Sequence, residues 1–147
     1  MKRILMAILG IILVCNISSC SGNDNISDKN IGNHKILITI SGDISAFDIS
    51  ESFTGTDTKG SAQLCDSLGK NIGSIYTVNS SEENVSTISV STSDNGTCLI
   101  GAIGWVSKGT GKSIIIKSYA YMNGKIIKTE SKTINSENGN FIFSTEQ

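Results

Sequence analysis

Few residues in this sequence have the type and spacing to do chemistry. Gly109-Thr110-Gly111-Lys112-Ser113 has the composition of the end of a phosphate-binding loop. The pattern G-x-x-x-x-G-K-[ST] needs glycine at position 106, where Val106 stands, and a following helix whose first amides would face phosphate. Ile114-Ile115-Ile116 follows instead, a β-branched run. The segment therefore reads as a glycine-rich hairpin loop, and nucleotide binding is not expected.

Four carboxylates stand near predicted turns: Asp43 and Asp48 flank one, and Glu82 and Glu83 are adjacent in another. Two carboxyl groups converging on one bond are the machinery of a small hydrolase acting on glycosides. With aromatic residues at only 5% to stack on sugars, the four read as charged turn residues. The sole histidine, His34, stands where a polar stretch meets the first strand and reads as a solvated surface group. No nucleophile elbow or serine-lysine motif supplies an alternative, so the chain is not expected to be an enzyme.

Cys65 and Cys98 are a candidate disulfide, and closing that loop would add about 3 to 4 kcal/mol in the chain-entropy model. No C-x-x-C spacing and no D-x-[DN]-x-[DN]-G loop occurs, so neither zinc nor calcium, nor any other cofactor, is expected. Tyr119, Tyr121 and Ile126 fall together on one face of a predicted hairpin. The favoured reading is that a second sheet or a loop covers them as core, and the alternative is that they form an exposed binding face.

Lys2 and Arg3 precede an apolar run from Ile4 to Val14, followed by small polar residues, the order of an export signal. The run is too short for a spanning helix, which needs about 18 to 20 residues. It ends at Ile17-Ser18-Ser19-Cys20, which resembles the lipobox of bacterial lipoproteins, with isoleucine where leucine is commoner. The resemblance implies cleavage before Cys20, a diacylglycerol on its sulfur and an acylated (palmitate-type) amine. Cys15 is a poor rival, because Val14 is too large for the position before the cut. Ser21 in place of aspartate after the cysteine implies outer-membrane placement in the well-studied sorting systems, with the leaflet left open.

The expected organisation is a signal peptide over 1–19, a lipidated flexible tether over 20–34 and one β domain over 35–147. Ile36, Ile38 and Ile40 alternate with Leu37, Thr39 and Ser41, a half-buried strand, and a second strand runs from Phe47 to Phe53. Shorter strands are expected near Ala62 to Cys65 and Ser74 to Val78. Asn95-Gly96, Asn123-Gly124 and Asn138-Gly139 each read as a two-residue type I′ hairpin turn. Those turns set Ile88 opposite Ile103, Tyr121 opposite Ile126, Tyr119 opposite Lys128, Lys117 opposite Glu130 and Ile134 opposite Phe143. Trp105 would pair with Ser86 and lie in the core.

The fold class is therefore all-β: an antiparallel two-layer sandwich of about eight or nine strands with a C-terminal meander. A small up-and-down barrel is the alternative. The cysteine and tryptophan order Cys65, Cys98, Trp105 departs from that of antibody domains, so the likeness to immunoglobulins is one of shape only.

Losing Lys2 and Arg3 leaves ten basic against thirteen acidic residues, and Arg3 is the sole arginine. Nucleic acid is not an expected partner. Asp66-Ser67-Leu68 resembles a short bacterial O-glycosylation pattern, implying an exposed loop. The expected function is a lipid-anchored envelope protein whose non-catalytic β domain binds or adheres to an envelope protein or glycan. The alternative is a structural accessory subunit of an envelope complex.

Overall fold

The computed structural model describes residues 30–82 and 84–146. The expected signal peptide, Cys20 with most of the expected tether, and Glu83 lie outside the described residues. Eleven strands occur among them: β1 (His34–Gly42), β2 (Phe47–Asp57), β3 (Gly60–Ser61), β4 (Leu64–Cys65), β5 (Asn71–Gly73), β6 (Ile75–Asn79), β7 (Thr87–Thr92), β8 (Gly96–Ser107), β9 (Ile114–Met122), β10 (Lys125–Ile134) and β11 (Asn138–Ser144).

They form two antiparallel sheets, one in the order β10-β9-β1-β7-β4-β5 and the other β11-β8-β2-β3, with β6 also paired to β2. The chain is an all-β sandwich and not a closed barrel.

Two-residue periodicity sets which side chains meet between the layers. Ile36, Ile38 and Ile40 of β1 and Ile114, Ile116 and Ala120 of β9 pack against Phe47, Ile49 and Phe53 of β2 and Leu99, Ile103 and Trp105 of β8. Burying one such side chain contributes about 1.5 to 3 kcal/mol, so this interior is the main source of stability.

Only one of the three Asn-Gly pairs makes the expected hairpin. Asn123 (φ 50°) and Gly124 (φ 78°) both take positive φ, as a type I′ turn requires, and join β9 to β10. The Asn95-Gly96 turn instead carries the chain from one sheet to the other, so Ile88 pairs with Ile38 and not with Ile103.

Asn138-Gly139 is no turn at all; both residues are in β11, opposite Val106 and Trp105 of β8. A Cβ on Gly139 would come 2.6 Å from Cζ2 of Trp105, so the glycine makes room for an indole. Ile134 and Phe143 thus belong to different sheets, and the expected C-terminal meander is replaced by crossings between layers. The Gly109–Gly111 loop is likewise a crossing from β8 to β9, not a hairpin. Trp105 is core, 5% exposed, but pairs with Ile49 and Gly139 and not with Ser86.

Candidate binding face

The outer face of the first sheet is built from the odd-numbered residues of β1, β7 and β9, since their even-numbered neighbours fill the core. Register brings Ile126, Tyr121, Lys35 and Ser91 into one row and Thr129, Tyr119, Leu37 and Ser89 into the next. Tyr119 and Tyr121 are half-buried and Ile126 is 57% exposed, so all three expected residues share a face that no second layer covers among the described residues. The Lys35 ammonium stands 5.4 Å from the Tyr121 ring centre.

A bulge between Ile126 and Lys128 reshapes this face. Beyond it Thr129, not Lys128, pairs with Tyr119, and Ser131, not Glu130, pairs with Lys117. One extra residue reverses which side chains point inward. Lys128, Glu130 and Lys132 turn toward the seam between the sheets, where Lys128 and Glu130 form a 2.9 Å ion pair. Lys128 lies 5.0 Å from the Phe143 ring centre, and Lys132 lies 5.7 Å from those of Trp105 and Phe141. Their aliphatic stems cover an aromatic edge where apolar residues would otherwise be needed.

The other sequence-predicted residues do not converge on this face. Asp43 and Asp48 flank the 3-10 turn Ile44–Ala46 at one end of the sandwich. Lys112 meets the first at 3.9 Å and Lys108 meets the second at 2.8 Å. A cleft of about 460 Å³ opens beside them, with Phe47, Ser80, Asn84 and Lys108 in its walls. Among the described residues no group of three or more His, Cys, Asp or Glu side chains could hold a metal ion. Ser67 and Leu68 are exposed in the β4–β5 turn, whose Asp66 carboxylate accepts the Leu68 and Lys70 amides.

Cys65 and Cys98 are free thiols. They belong to different sheets, each beside a fully buried leucine, Leu64 or Leu99, so strand alternation directs the two sulfurs to opposite outer faces. A bridge between them would have to cross the core. Burial, together with the nearby Glu146 carboxylate, raises the Cys98 thiol above its ordinary pKa.

His34 is not a solvated surface group but 1% exposed. Its Nε2 donates to the Asn30 carbonyl at 2.9 Å, so in the neutral ring Nδ1 is left to accept from the Thr145 hydroxyl at 2.8 Å. The Thr145 hydroxyl also accepts the Leu99 amide at 2.9 Å. This small network fastens the start of the domain to its end. Gly32 and Asn33, expected in the tether, are already bound to the domain through the Gly96 carbonyl, the Thr92 carbonyl and Asn123.

Glu51 escaped the sequence reading, although its signal was present: it falls between Ile49 and Phe53 on the inward parity of β2. It is 0% exposed, and neither carboxylate oxygen has a hydrogen-bond partner among the described residues. Burial pushes its pKa up to about 8, so the side chain is predominantly neutral at pH 7.

No family model matches this chain, and no curated protein matches it either. Among solved structures, it is similar to a domain of unknown function, DUF4425, from Bacteroides vulgatus ATCC 8482, with TM-score 0.74 and 28% identity over 80% of this chain and 98% of that one. A DUF4425 family protein from Bacteroides ovatus ATCC 8483 gives TM-score 0.72 and 29% identity, again over 80% and 98% of the two chains. A protein from Parabacteroides distasonis, solved in a calcium-bound form, shares the fold at TM-score 0.61 and 21% identity, over 83% and 99%.

Proposed function

We infer that this chain is a lipid-anchored protein of a bacterial cell envelope, held through Cys20, whose β-sandwich binds a partner without catalysis through the outer face of its first sheet. The observation that carries the reading is the uncovered row of Tyr121 and Ile126 beside Tyr119 and Leu37. Half-exposed aromatic side chains offer large contact area at low entropic cost. The strands beneath them, β1 and β9, are paired on both sides. Their backbone groups are already used, so recognition at this face falls to side chains.

The lipobox supports the anchor, since two or more acyl chains at roughly 0.8 kcal/mol per buried methylene hold a protein stably at a membrane. An accessory subunit adding a strand at the open edge of β10 is the weaker reading. Lys128, Glu130 and Lys132 point inward there, a device that discourages edge pairing.

Two measurements test the inference together. Cys20→Ser should abolish incorporation of an alkyne fatty acid in growing cells; unchanged labelling contradicts the anchor. A photo-crosslinking residue at Tyr121 should give a discrete adduct in intact cells, whereas one at Ser52, on the opposite sheet, should not. Equal adducts at both positions contradict the face.

A further inference from the structure

We propose that the ligand of the first sheet's outer face is an acidic glycan chain, an inference that rests on the binding role given to that face above. The charge pattern points to it. The outward positions of β1, β7, β9 and β10 carry Lys35 and Lys117 and no carboxylate. The outward strand positions of the second sheet carry one carboxylate, Asp48, and no lysine, so two lysines without a carboxylate beside them set the first sheet's face apart.

The bulge after Ile126 creates this pattern. Unbulged pairing would set Glu130 beside Lys117 on the outer face and neutralise it. The bulge sends Glu130 inward to pair with Lys128 and leaves Thr129 and Ser131 outside.

Lys117, Tyr119 and Tyr121 stand in line along one strand, spanning about 13 Å at roughly 3.3 Å per residue. A short oligosaccharide laid along that line meets an ammonium at Lys117, two tyrosines for its apolar ring faces, and a second ammonium at Lys35. Hydroxyls flank the line on both sides, with Thr129 and Ser131 on β10 and Thr39 and Ser89 beyond it. An acidic peptide would find no free backbone edge on these central strands. An anionic leaflet would favour a contiguous protruding apolar patch, but Leu37 and both tyrosines are half-buried, and the exposed Ile126 and Ile115 stand at opposite ends of the face.

The test uses the full-length lipoprotein in nanodiscs of zwitterionic lipid, titrated by calorimetry at low salt with an oligogalacturonate, with heparin and with the methyl ester of the oligogalacturonate. At least one acidic glycan is expected to bind, the neutral ester at least tenfold more weakly, and the Lys35→Gln, Lys117→Gln pair should lose tenfold or more. Tyr119→Ala, Tyr121→Ala should lose binding while unfolding at a denaturant midpoint that keeps it folded under assay conditions.

Equal binding of acid and ester overturns the acidic class and leaves the face standing. Binding that survives the tyrosine changes overturns the face itself. No binding of either acidic glycan overturns the proposal, as does protection of Tyr119 and Tyr121 from oxidation by nanodiscs containing phosphatidylglycerol alone, which would assign the face to a membrane.

Discussion

Lys35 and Tyr121 are register partners on adjacent strands, and the lysine's ammonium lies 5.4 Å from the centre of the tyrosine ring. The contact fixes an aromatic side chain whose register partner on the other side is Ile126. Exposed cation–π pairs contribute about 0.5 to 1 kcal/mol. A double-mutant cycle with Lys35→Met and Tyr121→Leu, read by urea denaturation, should return a coupling of that size. Tyr121→Phe should retain it, and a coupling indistinguishable from zero would show that the pair merely lies side by side.

The turn below this pair has a separate test. Gly124 has φ 78° and open space where a Cβ would project, so a substitution there meets backbone strain and no collision. Gly124→Val should cost about 1 to 2 kcal/mol. An unchanged denaturation midpoint would contradict the type I′ geometry.

Glu51 makes stability depend on pH in an unusual direction. Its pKa rises from 4.5 to about 8 on folding, so between those values the unfolded chain has released a proton that the folded chain keeps. Stability should therefore fall as pH rises from about 4.5 to 8, by up to about 5 kcal/mol from this group alone. Glu51→Gln should flatten that slope, and Glu51→Leu should flatten it and raise stability at pH 8, since an isolated buried acid is replaced by an apolar side chain. A wild-type midpoint that does not move over this range would contradict a partnerless interior carboxyl.

The thiols and the His34 network give a paired expectation. Cys65 and Cys98 should both titrate as free thiols after denaturation without reductant, and Cys98 should alkylate more slowly in the folded chain because its pKa is raised. Thr145→Val should cost about 1 to 3 kcal/mol by stranding the Leu99 amide and His34 Nδ1. Loss of both thiol signals would show a bridge that this arrangement of strands forbids.

Much of the architecture was legible where alternation is strict. The inward isoleucines of β1 and the Asn123-Gly124 hairpin follow from period and turn chemistry, as does the shared face of Tyr121 and Ile126. Three things were not legible, each for a physical reason. An Asn-Gly pair reports local geometry and cannot say whether the next strand joins the same layer, so Asn95-Gly96 turned out to cross between sheets. Gly139 is a glycine for the sake of Trp105, a contact distant in sequence. The bulge near Ile127 leaves no local signature, and it decides where Lys128, Glu130 and Lys132 point. His34 looked solvated because its partners, Thr145 and the Asn30 carbonyl, become neighbours only once both chain ends are in place.

Occupancy of the first sheet's outer face in the native envelope is tested most directly by hydroxyl-radical footprinting of intact cells against the purified, detergent-solubilised chain. Tyr119 and Tyr121 should be oxidised several-fold less in cells, with Tyr76 modified equally in both. Equal oxidation of Tyr119 and Tyr121 in cells and in detergent would contradict a recognition role for that face.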